Sequence, residues 1–140
     1  MSEQSYYLDS NFFVYLFTQE EDILKKIINN LGKHHFYTSC LTYDEVVWVI
    51  RKLFGKEISI KSSGFLLSIS NLNFINVDKE ILHKTDEVIS YFDLKPRDSL
   101  HYASMENNNI KNIVTDDKDF NKIKIIEVIS IESFVKQLTN

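Results

Sequence analysis

Short apolar runs alternate with longer stretches of helical periodicity along this chain. The short runs predict strands over residues 6–8, 36–38, 72–77, 112–115 and 125–129. Between them, helix-favouring stretches with helical periodicity or helix start and stop signals predict helices over residues 11–17, 20–31, 41–54, 57–70, 79–92, 96–107 and 132–138. Strands that alternate with helices form a parallel sheet wrapped by helices, so the sequence predicts an α/β fold.

Length and composition narrow the class of protein. A chain of 140 residues, 44% of them apolar, is sufficient for one packed domain spanning residues 1–140. No apolar run approaches the ~20 residues of a membrane span and no signal peptide is recognisable, so a cytoplasmic protein without membrane contact is expected. Cys40 is the only cysteine, which excludes an internal disulfide, and we expect it to be a small buried residue. The formal charge of −4 requires any nucleic acid to be bound by local features.

Acidic residues follow two of the predicted strands at the point where each strand ends. Asp9 comes directly after the first strand, and Asp116 and Asp117 follow the strand predicted over residues 112–115. In open parallel sheets, ligand sites lie beyond the carboxyl ends of the strands. We therefore expect the two acidic clusters to converge at one edge of the sheet, where carboxylates could hold a divalent cation.

Several of the acids also have a purely structural interpretation. Asp9 is a good helix N-cap. Thr42 and Glu45 have the spacing of a capping box, which is the favoured interpretation of Glu45 from spacing alone. Asp98 falls in the first turn of a helix that starts at Pro96, where the helix dipole favours an acid. Taken singly, these residues do not require a metal.

Two further residues near these acids have structural interpretations as well. Asp119 is expected to cap the segment that follows it, since the stretch lacks the Gly and the final Glu of a calcium-binding EF-hand loop. His101 lies one helical turn after Asp98, and a lone histidine in such a position is expected to be structural rather than a ligand.

Four blocks of sequence, taken together, resemble the PIN-domain nucleases, and in particular the VapC-type toxins of prokaryotic toxin–antitoxin pairs. The blocks are LDSN, TSCLTYDEVVWVI, LKPRDSLHYASMENN and IVTDDKDF, and they span Leu8 to Phe120 in the order that the family has them. The chain departs from the family pattern at Ser99, where the family often has Ala.

The resemblance implies a PIN-like three-layer α/β/α fold, with a central parallel sheet of four to five strands and a metal site at its carboxyl edge. Asp9, Glu45 and Asp98 match the first three acidic positions of the family. Asp117 matches the fourth, but Asp116 stands beside it in a variable position, so the choice between them stays open. The implied cofactor is Mg²⁺ or Mn²⁺, with Asp9 and Asp98 as ligands of a first ion and Glu45 and Asp117 orienting water or holding a second ion.

Polar residues beside the acids are candidates for support and substrate contacts. Ser10, Asn11 and Thr115 are expected to hydrogen-bond to the carboxylates or to the substrate. Arg97 is a candidate phosphate contact. Further candidates of this kind are Lys33, His34, His35, Arg51 and Lys52.

The function implied by the resemblance is that of a Mg²⁺- or Mn²⁺-dependent endoribonuclease, which hydrolyses RNA phosphodiester bonds with a metal-activated water. A toxin of this kind forms a homodimer and binds an antitoxin protein. The apolar helices over residues 41–54 and 65–69 are candidate surfaces for these partners, although core packing is expected for most of their apolar residues. The alternatives are an RNA-processing nuclease without an antitoxin and a non-catalytic PIN-like binding module. A phosphate-signalling receiver domain is disfavoured, because it needs an acidic pair where this chain has Asp9 and Ser10.

Overall fold

A computed structural model describes residues 4–140 of the chain. Within this range it contains five β-strands, seven α-helices and one short 3₁₀ helix. In chain order these are β1 (Tyr6–Leu8), α1 (Ser10–Phe17), α2 (Glu21–Leu31), β2 (Phe36–Ser39), α3 (Cys40–Phe54), α4 (Lys56–Ser68), β3 (Leu72–Ile75), α5 (Lys79–Phe92), α6 (Pro96–Asn107), β4 (Asn112–Val114), the 3₁₀ helix (Lys118–Lys122), β5 (Glu127–Ile129) and α7 (Ile131–Thr139).

The five strands form one sheet in the order β3-β2-β1-β4-β5, and every neighbouring pair is parallel. The predicted α/β fold with a parallel sheet is therefore confirmed. β2 and β3 extend the sheet to one side of β1, whereas β4 and β5 extend it to the other side. The order of strands thus reverses between β1 and β4, and such a switch point opens a crevice at the carboxyl ends of the two strands.

Side chains alternate between the two faces of the sheet and enter two separate hydrophobic cores. Leu8 and Val114 point to one face and pack with residues of α1, α2, α3, α4 and α7. Tyr7 and Ile113 point to the other face and pack with residues of α5, α6 and the 3₁₀ helix. Helices therefore cover both faces, as the three-layer architecture requires.

The observed ends of the elements differ from the predicted ends by a few residues. Among the strands the largest difference is two residues: β5 starts at Glu127 instead of residue 125, and β3 was predicted to reach residue 77 but ends at Ile75. Ile75 pairs with Ser39, and β2 ends there because α3 starts at Cys40, so β3 has no partner beyond that point. Asp78 then starts α5, since its side chain accepts a hydrogen bond from the backbone N–H of Ile81 at 3.0 Å.

The helices α3 and α4 bury fewer apolar residues than the sequence predicts. Val46, Ile50 and Leu66 lie in the core, but Cys40, predicted to be buried, is exposed at the first position of α3. Seven large apolar side chains of these helices are 40–61% exposed, and we call them the α3–α4 apolar surface: Trp48, Leu53, Phe54, Ile58, Ile60, Phe65 and Leu67. Among residues 4–140, every helix is too short or too polar to cross a lipid bilayer.

Candidate metal centre

The carboxyl ends of β1 and β4 bring two of the predicted acids to the switch point of the sheet. Asp9 follows β1, and its backbone N–H donates to the carbonyl oxygen of Val114 at the end of β4 (3.1 Å). Asp117 lies three residues beyond Val114. The helices α3 and α6 contribute Glu45 and Asp98 to the same region.

Asp9 is held by hydrogen bonds to both of its carboxylate oxygens. The backbone N–H of Ser10 donates to Oδ1 at 2.8 Å, which makes Asp9 the N-cap of α1, and the hydroxyl of Thr115 donates to Oδ2 at 2.7 Å. The Thr115 hydroxyl in turn accepts from Asn11 Nδ2 at 3.1 Å and from the backbone N–H of Asp117 at 3.0 Å. Its one donor and two acceptor sites are then all used, so Thr115 joins the two acidic segments. Ser10 Oγ makes only a long contact of 3.4 Å with Asp9.

Glu45 contacts a histidine instead of capping its own helix. The predicted capping box is wrong, because it requires Thr42 as the N-cap, whereas α3 begins three residues earlier, with Ser39 as its N-cap. Thr42 Oγ1 is buried and has no hydrogen-bond partner among the described residues. Glu45 Oε1 lies 2.6 Å from Nε2 of His101 on α6. Glu45 therefore contacts a residue of another helix and not the start of its own helix, as had been predicted.

His101 connects Glu45 to residues beneath the sheet edge. Its Nε2 lies 3.5 Å from Asp9 Oδ1, and its Nδ1 lies 2.6 Å from the hydroxyl oxygen of Tyr7. Tyr7 donates to Ser39 Oγ at 2.9 Å. Burial opposes the charged form of the ring, but Tyr7 and the carboxylates of Glu45 and Asp9 outweigh it and raise the pKa of His101 well above its ordinary value.

Asp98 belongs to a second group of acids, together with Asp117 and Asp119. Within this group one carboxylate oxygen of each residue lies within 4.8 Å of the others, and all three residues are half-buried. Burial and the negative charges of Asp117 and Asp9 raise the pKa of Asp98 from 3.8 to about 6. A hydrogen bond between the Asp98 and Asp117 side chains adds to this increase. The charge on Asp9 acts on Asp98, so the two groups of acids adjoin.

The three acids of the turn after β4 have different partners. Asp117 Oδ1 accepts from the backbone N–H of Asp119 at 3.0 Å and thereby caps the 3₁₀ helix, so the prediction that Asp119 provides the cap is wrong. Asp116 Oδ1 accepts from the backbone N–H of Ile131 at the start of α7 (3.0 Å). Of the two acids between which the sequence left the choice open, Asp117 therefore lies in the cluster and Asp116 faces α7.

Most of the candidate phosphate contacts lie away from the acids. Arg97 is exposed on the first turn of α6, next to Asp98. Lys33, His34 and His35 line a cavity of about 890 Å³ at the opposite, amino-terminal edge of the sheet. Lys52 is exposed near the end of α3, where its amino group lies 5.4 Å from the centre of the Trp48 ring. Of these candidates, Arg97 is the one that is adjacent in sequence to an acid of the cluster.

The donor set fits a divalent cation. Two adjoining groups offer ligand atoms within 4.8 Å of one another, namely Asp9, Glu45 and His101 in one and Asp98, Asp117 and Asp119 in the other. Burial, together with the charges of Asp117 and Asp9, raises the pKa of Asp98, so the surroundings of this carboxylate do not fully compensate its negative charge. A divalent cation would supply that balance, and carboxylate oxygens are the ligands that Mg²⁺ and Mn²⁺ prefer.

His101 is the member of the cluster that the sequence interpretation left out of the site. One signal for it was present: His101 follows Asp98 by three positions, so both side chains lie on one face of α6. Tyr7 precedes Leu8, which faces the other core, so alternation along β1 turns the Tyr7 hydroxyl toward that same helix.

Residues 6–126 match the family described as PIN domain. No curated protein sequence matches the chain. The fold is similar to that of VapBC2 from Rickettsia felis bound to a promoter DNA fragment, with a TM-score of 0.72 and 19% identity over 91% of this chain and 98% of that chain.

Two further solved structures have the same fold. VapC20 from Mycobacterium tuberculosis, described as a Sarcin-Ricin loop cleaving toxin, aligns with a TM-score of 0.70 and 17% identity, over 88% of this chain and 98% of that chain. PAE2754 from Pyrobaculum aerophilum aligns with a TM-score of 0.68 and 18% identity, over 98% of both chains. The family match covers most of the sequence, and the acids of the cluster lie within it. The chain therefore belongs to the PIN domain family.

Proposed function

We propose that this chain is a divalent-metal-dependent endoribonuclease and the toxin of a type II toxin–antitoxin pair. The observation that carries the proposal is the convergence of Asp9, Glu45, Asp98 and Asp117 at the switch point of a PIN-family sheet. Carboxylates from four separate segments gather there, although burial and their mutual repulsion raise the pKa of one of them, Asp98. Such an arrangement stores an unfavourable interaction that a bound cation removes.

In this proposal Asp9, Asp98 and Asp117 hold Mg²⁺ or Mn²⁺. Thr115 and the Ser10 N–H fix both oxygens of Asp9, so this carboxylate is oriented before the cation binds. Bound there, the cation would supply positive charge for the phosphate oxygens and increase the acidity of water.

Glu45 has two roles in this proposal: its carboxylate would help to hold the cation, and it would orient the attacking water and accept the proton of that water. Its side chain is 17% exposed, so water can reach it. It contacts His101 through Oε1, which leaves Oε2 for these roles. Arg97, which is exposed and precedes Asp98 in the sequence, is the proposed contact for a substrate phosphate.

The proposed substrate is RNA, either single-stranded or structured. Support comes from the fold shared with VapC20, which is described as cleaving the Sarcin-Ricin loop. The net charge of −4 disfavours a general attraction to nucleic acid, so recognition depends on the cation and on local contacts.

The proposed protein partners are a second copy of this chain and an antitoxin. The α3–α4 apolar surface supports this part of the proposal, because large apolar side chains left exposed on two adjacent helices are typical of residues that a partner covers. A protein with this fold from Klebsiella pneumoniae is described as a toxin–antitoxin complex. Co-purification with the product of a neighbouring reading frame tests the antitoxin. Failure to form a complex would favour an RNA-processing nuclease without one.

A cleavage assay tests the catalytic proposal. Purified chain is incubated with a structured RNA, a single-stranded RNA and the matching DNA, each with Mg²⁺, with Mn²⁺ or with excess chelator. We expect internal cleavage of RNA that the chelator abolishes and that is lost in Asp9→Asn and Asp98→Asn. Asp116→Asn is the matched control, because it removes a neighbouring acid outside the cluster. A folded chain that binds no divalent cation and cleaves nothing would favour the non-catalytic binding module.

A further inference from the structure

His101 is a buried ionisable residue in the cluster that the proposed reaction does not use. Its side chain is 1% exposed, and both of its ring nitrogens lie at hydrogen-bond distance from partners. A solvent-inaccessible imidazole cannot take part in proton exchange with bulk water directly. Any role of His101 in the site must therefore act through the residues that it contacts.

The ring of His101 is fixed on the side away from the acids. Tyr7 and Ser39 are both 0% exposed, and the Tyr7 hydroxyl bridges His101 Nδ1 (2.6 Å) and Ser39 Oγ (2.9 Å). The Tyr7 ring also meets the imidazole edge-on, with ring centres 5.6 Å apart. The imidazole thus has one orientation, because rotation would break a buried hydrogen bond.

This orientation aims Nε2 at Glu45. The distance from Nε2 to Glu45 Oε1 is 2.6 Å, which is typical of a strong hydrogen bond to a carboxylate. Two ligands of one octahedral Mg²⁺, each about 2.1 Å from the metal, would lie about 3 Å apart at a right angle. The shorter separation favours an N–H that donates to Glu45 over a nitrogen that shares a metal with it.

Glu45 needs such a partner more than Asp9 does. Asp9 is a short side chain with two donors of its own, whereas Glu45 has three rotatable bonds and a hydrogen bond to His101. The same nitrogen lies 3.5 Å from Asp9 Oδ1, so a donor stands between two carboxylates that would otherwise repel each other.

We propose that His101 is a positioning residue, which holds Glu45 in the metal centre through the hydrogen bond from Nε2 to Oε1 while Tyr7 and Ser39 fix its ring. This inference rests on the proposed function, since it assigns a support to one of the proposed acids. It predicts that His101 contributes to cation affinity and to the rate of the chemical step only through Glu45.

A double-mutant cycle on cation binding tests the inference without any RNA. The dissociation constant of Mn²⁺ is measured by calorimetry for the wild type, His101→Leu, Glu45→Gln and the double variant. We expect His101→Leu to weaken Mn²⁺ binding by about 10- to 100-fold. We expect it to have no further effect in the Glu45→Gln background, because the residue through which it acts is already changed. His101→Gln, whose amide can replace the donor, should restore most of the affinity.

A folding control and a kinetic readout accompany the cycle. Thermal unfolding establishes that each variant is folded; if His101→Leu is not, Tyr7→Phe takes its place, since it keeps the histidine but removes its anchor. In cleavage assays with saturating cation, His101→Leu should lower kcat and leave KM for RNA unchanged.

Three results would overturn the inference. One is equal Mn²⁺ affinity in the wild type and His101→Leu, and another is an effect of His101→Leu that persists undiminished in the Glu45→Gln background. The third is a nitrogen hyperfine coupling to bound Mn²⁺ that disappears in His101→Gln, which would make His101 a ligand. Absence of Mn²⁺ binding in the folded wild type would instead remove the proposed function and this inference with it.

Discussion

The two halves of the acidic cluster are built in different ways. In the half around Asp9 and Glu45, the carboxylates face hydrogen-bond donors: Ser10 N–H and the Thr115 hydroxyl for Asp9, and His101 for Glu45. In the half around Asp98 and Asp117, the carboxylates face each other. In this second half, burial and the neighbouring carboxylates raise the pKa of Asp98 to about 6.

This difference concerns how the negative charges are compensated: the fold itself supplies hydrogen-bond donors in one half, whereas the other half needs a bound cation. Hydrogen bonds to a carboxylate stabilise its charged form, so the Asp9 half is complete without a cation. The Asp98 half leaves like charges in contact, which favours protonation or a bound cation. We therefore expect the Asp98 half to respond most strongly to metal, to pH and to substitution, and the Asp9 half to behave as part of the folded scaffold.

The largest expected effects come from replacing one acid in each half. Asp9→Asn and Asp98→Asn should each lower RNA cleavage by about 100-fold or more, because each removes a charged ligand. Their effects on the metal-free fold should be opposite. Asp9→Asn leaves a buried donor or acceptor unpaired and should lower the free energy of unfolding by about 1–3 kcal/mol, whereas Asp98→Asn removes repulsion and should raise the melting temperature. Thermal unfolding in the presence of chelator checks this. Lower melting temperatures for both variants would refute the distinction between the two halves of the cluster.

Cation binding should stabilise the wild type but not the Asp98 variant. A ligand at one hundred times its dissociation constant adds about 2.7 kcal/mol to the free energy of unfolding when it binds only the folded state. We expect Mn²⁺ to raise the melting temperature of the wild type and of Asp116→Asn, and to leave that of Asp98→Asn nearly unchanged. If Mn²⁺ raised the melting temperature of Asp98→Asn as much as that of the wild type, the cation would bind in the half around Asp9 and Glu45.

The pH dependence of stability should isolate Asp98. Its pKa is about 6 in the folded chain against an ordinary 3.8, so between these values the folded state binds more protons than the unfolded state. The stability of the metal-free protein should then fall as pH rises from about 4 to 6, by about 1 kcal/mol once solvent screening of this half-exposed group is considered. Denaturant titrations across this range check it. Asp98→Asn should remove the dependence, and an unchanged slope in that variant would assign it to another group.

The smallest expected effect concerns Asp116, which the sequence could not separate from Asp117. Asp116→Ala removes the acceptor for the Ile131 N–H at the start of α7 and should cost about 0.5–1 kcal/mol of stability. Its cleavage rate should stay within about threefold of the wild type, while Asp117→Asn should lose cleavage. Cleavage rates and unfolding free energies measured for both variants check this prediction. Loss of cleavage in Asp116→Ala would show that Asp116 takes part in the reaction.

The fold was predictable because its signals are local. Apolar runs bounded by Asp, Gly or Pro gave the order of strands and helices, and alternation of the two types implies a parallel sheet. The ends of elements were less predictable, since they depend on partners. Where β3 ends, for example, depends on where α3 starts, 35 residues earlier (75 minus 40).

The site was predictable only in part, for the same physical reason. Asp9 and Asp117 follow strands, so their convergence could be expected from strand direction. The contact between Glu45 and His101 joins two helices 56 positions apart, and the spacing of Thr42 and Glu45 suggested a local alternative that the fold does not use. No local pattern indicates that a histidine on an otherwise buried helix face has a carboxylate opposite it.

The position of β4 in the sheet has a consequence for the newly made chain. Thr115 reaches Asp9 across 106 positions, and β4 pairs with β1 in the middle of the sheet rather than at its rim. A nascent polypeptide that has emerged only as far as α6 carries Asp9, Glu45 and Asp98 but has neither Thr115 nor Asp117 to complete the crevice. Under the proposed function, cleavage of RNA would thus become possible only after β4 and the turn that follows it have been synthesised.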